Sequence, residues 1–185
     1  MSEFIGTRSG CKINLDDPQP DDFILDDIAI GLSHVARFNG QTDWHYSVAQ
    51  HSVLVARYLL ARYNDTTLAL QGLLHDASES VICDLPTPVK RFIGQVYYDL
   101  ETRVQHAILA KFSVPTEFSP AVHDADLRAL IAERNALQPQ HCDWGKEYDD
   151  IHPLPYEIEP WAPEFAKQQF LSLFHHLTEG RYSND

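Results

Sequence analysis

The sequence predicts an all-α fold, a helical bundle preceded by a short β-hairpin. First, apolar residues recur at three- and four-residue spacing along most of the chain, the pattern of amphipathic helices packed around one core. Second, these segments begin at residues that cap helices and end at residues that terminate them. Third, strand-like alternation is found in residues 3–15, near the N-terminus.

The N-terminal elements follow from turn and breaker signals. Residues 3–15 are expected to form the hairpin, because loosely alternating residues flank a Ser9-Gly10 turn signal. Residues 16–22 contain two prolines and four aspartates, so we expect a solvated connector. A helix should follow, capped by Asp26 or Asp27 and running to about Phe38, where Asn39-Gly40 ends it.

The later helices are predicted from caps and apolar spacing. Ser47 is a suitable N-cap for the helix that follows it. Pro120 and Pro163 are each expected to open a helix, because proline is favoured at the first helical position. The prolines of residues 84–88 predict a turn, and those of residues 138–163 predict a long loop. We expect helices over residues 48–63, 67–78, 89–112 (two pieces around Gly94), 120–137 and 163–177. One domain, residues 1–185, is expected, with hairpin and connector 1–22, helical core 23–178 and tail 179–185.

Composition narrows the class of protein. The chain has 27 acidic and 14 basic residues, a formal net charge of −13, and such a surface repels nucleic acid. Its three cysteines, Cys11, Cys83 and Cys142, show no C-x-x-C spacing, so neither a disulfide framework nor a thiolate zinc site is expected. No signal pattern opens the chain, and no apolar run approaches the roughly 20 residues of a membrane span. We therefore expect a cytoplasmic protein with no membrane or nucleic-acid partner.

The residues that could bind a metal or catalyse a reaction are His51, the adjacent pair His75-Asp76, and Asp126. Each lies among apolar residues of a predicted helix, so its side chain is expected to be partly buried and to need a partner. Two imidazoles and two carboxylates could satisfy one another around one divalent cation, and mixed N and O donors suit Mn, Co, Zn, Fe or Mg. The alternative is that each histidine is an ordinary hydrogen-bonded residue, and spacing alone does not decide.

Two other histidine groups compete for this assignment. His123-Asp124 lies at the start of its predicted helix, where an aspartate is favoured by the helix dipole, so we expect both residues at the surface. His175-His176 is interpreted in the same way, as a solvated helix end.

The four candidate ligands, in this order, resemble the H…HD…D signature of the HD-domain metal-dependent phosphohydrolases. Residues 46–57 (YSVAQHSVLVAR) resemble the first-histidine helix of the small phage and bacterial members. Residues 73–90 (LLHDASESVICDLPTPVK) resemble their HD helix and the turn after it, and residues 124–139 (DADLRALIAERNALQP) resemble their aspartate-bearing helix. In that helix the Asp of the Ala-Asp pair is the ligand, which selects Asp126 over Asp124. The resemblance covers about residues 5–177.

This resemblance implies an HD-domain helical bundle with a divalent ion (Mn, Co, Zn or Mg) at the four ligands. It implies catalytic roles for Asp76 and for Glu79, which lies three residues later and would position or deprotonate the attacking water. The sugar 3′-hydroxyl would contact Asp84, and phosphate would face Lys90 and Arg37. The implied substrate-binding set is Arg37, Phe38, Asp84, Pro88 and Lys90. Many relatives have His where this chain has Ile30, a departure in the pocket wall.

The implied activity is hydrolysis of deoxynucleotides. We favour a dATP-preferring dNTP triphosphohydrolase, as in phage members, which releases nucleoside and triphosphate. The alternative is a 5′-deoxynucleotidase acting on dNMPs. The metal chemistry is the same for both activities, and the length of the pocket and its number of cations decide between them. A non-catalytic nucleotide-binding regulator is a further alternative, and a di-iron oxygenase would need added ligands such as His45 and Glu79. The expected partners are a small-molecule deoxynucleotide and further copies of the chain in a homo-oligomer.

Overall fold

The computed structural model describes residues 3–138, 143–179 and 182. They form an all-α bundle with a short hairpin, as predicted. The hairpin pairs β1 (Phe4–Gly6) with β2 (Lys12–Asn14), antiparallel. The helices are α1 (Leu25–His34), α2 (Val48–Tyr63), α3 (Thr66–Leu74), α4 (Glu79–Ile82), α5 (Thr87–Ile93), α6 (Gln95–Lys111), α7 (Pro120–Leu137) and α8 (Pro163–Leu177). Short 3₁₀ turns span Pro20–Asp22, Arg37–Gly40 and Lys146–Tyr148.

Helices α2, α7 and α8 begin and end where the local signals predict. The Ser47 hydroxyl caps α2 by accepting a hydrogen bond from the Gln50 amide at 3.1 Å. Asn64 ends α2 in the left-handed conformation, with φ of 51°. Proline is the first residue of both α7 and α8, where its missing N–H leaves no helical bond unmade.

Helix α1 differs from its prediction at both ends. It begins at Leu25, so Asp26 and Asp27 lie in its first turn, and it ends at His34 instead of Phe38. Residues 35–37 are drawn away by the segment before α2: the Arg37 amide donates to the Tyr46 carbonyl at 2.9 Å, and a bridge pairs residues 36 and 47. These tertiary hydrogen bonds replace the ones that a longer helix would have made.

Helix α3 also ends early, at Leu74 and not at residue 78. The side chain of Gln105, on α6, takes the place of the next helical hydrogen bond. Its Oε1 accepts from the Ser78 amide at 2.8 Å, and its Nε2 donates to the Leu74 carbonyl at 2.6 Å. Residues 75–78 consequently form a turn between α3 and α4.

Helix α2 lies at the centre of the bundle and packs against α1, α3, α7 and α8. Its buried residues include His51, which is fully enclosed. The apolar spacing of α8 predicts Phe165 on its core face, but the structure leaves it 43% exposed, in contact with Trp161. Tyr182, in the expected tail, donates to the Phe112 carbonyl at 3.2 Å. Cys142 and most of the tail lie outside the described residues.

The helices were compared with the length and hydropathy of membrane-spanning helices. Within the described residues, none of them combines the length and the hydropathy that a membrane span requires.

Candidate metal centre

The structure brings the four predicted ligands together. His51 comes from the second turn of α2, His75 and Asp76 from the turn after α3, and Asp126 from α7. The Nε2 atom of His51 lies 3.2 Å from His75 Nε2, 3.2 Å from Asp126 Oδ1 and 3.5 Å from Asp76 Oδ2. The Nε2 atom of His75 lies 3.2 Å from Asp76 Oδ2 and 3.8 Å from Asp126 Oδ1. Three elements distant in sequence therefore converge on one point.

The donor set fits a divalent cation. The His75 Nδ1 atom lies 2.7 Å from the Gly72 carbonyl, and His51 Nδ1 lies 2.6 Å from Glu133 Oε1. Both partners accept hydrogen bonds, so each Nδ1 carries the proton and each neutral ring turns the Nε2 lone pair toward the cluster. When both Nε2 atoms have lost their protons, as metal binding requires, two lone pairs and two carboxylate oxygens face one point. Ligands bound at about 2.1 Å stand roughly 3.0–3.4 Å apart, close to the separations found here.

The charges of the cluster are strongly coupled. Burial lowers the pKa of His75, but Asp76 and Asp126 outweigh it and hold that pKa well above the ordinary value. Burial and Arg37 lower the pKa of His51, yet Glu133 and Asp126 leave it raised. Burial would raise the pKa of Asp76 and of Asp126, and the neighbouring imidazoles bring both below the ordinary value. Without a cation, protons on the imidazoles balance the carboxylates, so a bound metal must displace protons.

Glu79 lies beside the cluster as the first residue of α4 and is 3% exposed. Its amide donates to the Asp76 carbonyl at 3.0 Å, so the one-turn spacing to Asp76 holds although the helix is interrupted. Its Oε1 accepts from Lys90 Nζ at 3.1 Å, whereas its Oε2 is buried and has no hydrogen-bond partner among the described residues. Burial, Asp76 and Asp84 raise the pKa of Glu79 well above the ordinary value, against the opposing effect of Lys90.

Lys90 and Arg37, which were expected to face phosphate, are both paired with carboxylates. Lys90 Nζ also donates to Glu101 Oε1 at 2.6 Å. Arg37 is buried, and its Nε donates to Glu133 Oε2 at 3.0 Å while its Nη1 lies 3.4 Å from Asp76 Oδ2. Both cations are thus held by the protein in this structure.

The other predicted substrate contacts, Phe38, Asp84 and Pro88, differ in their surroundings. Phe38 is half-buried with φ of 56°, beneath the Arg37 guanidinium and 6.3 Å from the Trp144 ring. Asp84 lies between α4 and α5, where burial raises its pKa against the effect of Arg37. Pro88 is exposed in the first turn of α5. Their contacts with substrate remain predictions.

The structure adds a residue that the sequence analysis missed, Glu133. It is fully buried, and its carboxylate accepts from His51, from Arg37 and from the Tyr46 hydroxyl, the last at 2.9 Å. Burial would raise the pKa of Glu133, but Arg37 and His51 lower it below the ordinary value. Glu133 lies seven residues after Asp126, two turns along the same face of α7, so helical periodicity could have found it.

The competing histidines lie elsewhere. His123 and Asp124 are exposed, and Asp124 accepts from Arg128 at 2.7 Å one turn later. His176 is exposed at the end of α8, as predicted, whereas His175 is partly buried and its Nδ1 is enclosed, so the prediction of a solvated pair was wrong for His175. The His45 Nε2 atom lies 3.1 Å from the Ser33 carbonyl, to which it donates. That nitrogen is therefore not available to bind the second iron that a di-iron oxygenase would need.

A cavity of about 320 Å³ opens beside the cluster. It is lined by His75 and Asp76, by Lys90, and by residues of α6 and of the segment before α7. This volume is at the lower end of the range for small-molecule sites.

Comparison with known proteins shows which family the chain belongs to. No family model matches it. It is 34% identical over 182 residues to the uncharacterized protein YfdR of Escherichia coli, covering 96% of this chain and 97% of YfdR. It is 47% identical over 112 residues to an uncharacterized protein of Rhodobacter capsulatus, covering 58% of this chain and 57% of that protein. It is 32% identical over 113 residues to a 5′-deoxynucleotidase of Cronobacter sakazakii, covering 49% of this chain and 56% of that enzyme. The chain therefore belongs to the family of YfdR.

Proposed function

We propose that this chain is a divalent-metal-dependent phosphohydrolase of deoxynucleotides, with an HD-type metal centre. The observation that carries the proposal is the convergence of the His51 and His75 Nε2 atoms with Asp76 and Asp126 at separations of 3.2–3.8 Å. The partial similarity to a 5′-deoxynucleotidase supports the same class of reaction.

Within this class we rank 5′-deoxynucleotidase activity first and dATP-preferring triphosphohydrolase activity second. A triphosphate carries more negative charge than a monophosphate and needs more cations to bind it. Lys90 is shared by Glu79 and Glu101, and Arg37 is paired with Glu133 and lies near Asp76. The described surroundings of the cluster are therefore acidic on balance, which favours the smaller anion.

The four cluster side chains would hold the metal. A divalent cation there would supply Lewis acidity, lowering the pKa of water and offsetting charge on a phosphoryl oxygen. The two Nδ1–H groups keep the imidazoles oriented through Gly72 and Glu133.

Glu79 is the group that moves the proton. Its raised pKa makes its carboxylate a stronger base than an ordinary glutamate, and Lys90 fixes its Oε1. In hydrolysis of a monophosphate, water forms a bond to phosphorus as the bond from phosphorus to the 5′-oxygen breaks. Glu79 takes a proton from the water and returns it to the 5′-oxygen, so deoxynucleoside and phosphate leave. Proton transfer of this kind contributes about 10²–10⁴-fold to the rate.

Product analysis tests the proposal. The purified protein with Mn²⁺ or Co²⁺ is incubated with the four dNMPs and the four dNTPs, and the products are separated by chromatography. Phosphate from dNMPs supports a 5′-deoxynucleotidase, whereas nucleoside and triphosphate from a dNTP support the second-ranked activity. Nucleotide binding without turnover of either set contradicts the proposal and favours a nucleotide-binding regulator.

Three variants separate ligands from bystanders. His75→Ala should lose hydrolysis and metal together, while His123→Ala, a change at an exposed histidine, should keep both. Glu79→Ala should keep the metal and lose rate, because it removes the proton acceptor and none of the four candidate ligands. A metal-free Glu79→Ala protein, or a folded but inactive His123→Ala protein, would overturn these assignments.

A further inference from the structure

Glu133 occupies an unusual position for a carboxylate. It is fully buried on α7, two turns beyond Asp126, and no solvent reaches it. Its Oε1 lies 2.6 Å from His51 Nδ1 and 2.9 Å from the Tyr46 hydroxyl, and its Oε2 lies 3.0 Å from Arg37 Nε. A buried carboxylate is tolerated when several donors satisfy it, and here three donors from two other parts of the chain do so.

The contact with His51 determines which nitrogen of the ring faces the cluster. A carboxylate that is paired with a guanidinium only accepts, so the His51 Nδ1 atom must donate to it. The proton is thereby kept on Nδ1, and Nε2 presents its lone pair toward His75, Asp76 and Asp126. A proton on Nε2 instead would point into the cluster and exclude a cation.

The contact with Arg37 ties this arrangement to a second ligand. Arg37 donates to Glu133 through Nε, and its Nη1 lies 3.4 Å from Asp76 Oδ2. One guanidinium thus connects the carboxylate behind His51 with a carboxylate in the cluster. Arg37 is 8% exposed, which fits a structural connection between the two better than a free phosphate-binding group.

We infer that Glu133 is a positioning residue of the metal centre, which holds His51 in the metal-binding tautomer and is itself fixed by Arg37. The inference rests on the proposed metal centre. It concerns this chain's affinity for a divalent ion, and it does not depend on which nucleotide is hydrolysed.

The decisive variant is Glu133→Gln, with Tyr46→Phe as its matched control. Glutamine keeps the shape but has one oxygen, and the buried Arg37 Nε–H competes for it. The amide group then turns toward His51, whose Nδ1 must accept, so the ring proton moves to Nε2. Tyr46→Phe removes a hydrogen bond to the same Oε1 and leaves the contacts with His51 and Arg37 in place.

Two measurements report on the inference without using hydrolysis. Competition of Zn²⁺ with a chromophoric chelator gives the affinity, and we expect Glu133→Gln to weaken it by about 10- to 100-fold, the usual effect of losing such a partner. Tyr46→Phe should stay within about threefold of wild type. In the metal-free proteins at alkaline pH, long-range ¹H–¹⁵N correlation spectra of the histidine rings should show His51 protonated at Nδ1 in wild type and at Nε2 in Glu133→Gln.

The outcomes are distinguishable from failure of the proposed function. A wild-type spectrum with the His51 proton on Nε2 overturns the inference, and it requires no variant to fold. A folded Glu133→Gln protein with wild-type Zn²⁺ affinity and an unchanged His51 tautomer overturns it as well. A wild type that binds no divalent ion overturns the proposed function, while the tautomer of the metal-free protein at alkaline pH still tests the inference.

Discussion

Replacing Lys90 by Met removes an ammonium group that lies between two carboxylates and keeps a side chain of similar length. Lys90 Nζ is 3.1 Å from Glu79 Oε1 and 2.6 Å from Glu101 Oε1. The Glu79 side chain is 3% exposed, so Lys90→Met leaves a buried carboxylate without its cation. The variant should therefore be less stable, by an amount that depends on whether Glu79 is ionised.

The structure sets the size of this effect. At 3.1 Å and an effective dielectric constant of about 20, the attraction between Lys90 and Glu79 is on the order of 5 kcal/mol before desolvation is subtracted. Removing one partner of a buried pair costs about 3–5 kcal/mol, and the partial exposure of Lys90 and Glu101 favours the lower end. A loss of about 3 kcal/mol lowers the melting temperature of a chain of this size by roughly 6–12 °C.

The loss should shrink as the pH falls. The pKa of Glu79 is already raised, so without Lys90 its carboxyl takes up a proton readily and the unpaired charge disappears. The pKa of Lys90 is raised too, so Lys90 itself stays charged at pH 5 and at pH 8, and only the ionisation of Glu79 changes between them. The difference between wild type and Lys90→Met should consequently be larger at pH 8.

Calorimetry of the metal-free proteins at both pH values checks this. Lys111→Met is the control, because Lys111 lies 3.6 Å from an almost fully exposed Asp21 and should melt close to wild type. An unchanged melting temperature for Lys90→Met at pH 8, or an equal loss at pH 5 and pH 8, would refute the reasoning.

Three further predictions concern the metal, the core and self-association. The pKa values of His51 and His75 are raised above the ordinary histidine value in the metal-free protein by the neighbouring carboxylates, and their protonation stabilises it less as pH rises. Zn²⁺ should therefore raise the melting temperature more at pH 8.5 than at pH 6; a pH-independent increase would contradict this. Gly72→Val should cost about 2 kcal/mol in urea unfolding, because a Cβ there meets α2 side chains, and an unchanged midpoint would argue against such close packing. Phe92 is 92% exposed, so if it lies in a homo-oligomer contact, Phe92→Ser should shift sedimentation toward monomer without lowering stability; a monomeric wild type would exclude this.

Much of the fold could be predicted because its helices are marked locally. Ser47, Pro120 and Pro163 mark helix starts through hydrogen bonds and backbone angles within a few residues. The predictions were wrong where a distant group intervenes. The Gln105 side chain, 27 residues from Ser78, ends α3, and no signal near residue 78 shows that it will.

Some residues of the candidate site could likewise be predicted from the local sequence, whereas their pairing depends on distant parts of the chain. The four candidate ligands could be proposed because polar residues among apolar helical neighbours need a common partner, and the resemblance to the HD signature selected Asp126 over Asp124. The structure brings His51, His75 and Asp126 into one group and places Asp76 beside His51. The pairing of Lys90 with two glutamates, and of Arg37 with Glu133, depends on how α5, α6 and α7 pack. The spacing of Glu133 from Asp126 could be seen in the sequence, but the hydrogen-bond partners of Glu133 could not be predicted from it.

The most direct test of the metal-dependent activity is a titration. Chelator-treated protein is given increasing Mn²⁺, and phosphate release from dNMPs is followed together with bound metal, in wild type and in the neighbouring variants Asp126→Asn and Asp124→Asn. The proposal predicts that release rises in step with bound metal in wild type and in Asp124→Asn, and is lost in Asp126→Asn. Release by the metal-free protein, or undiminished release by Asp126→Asn, would contradict it.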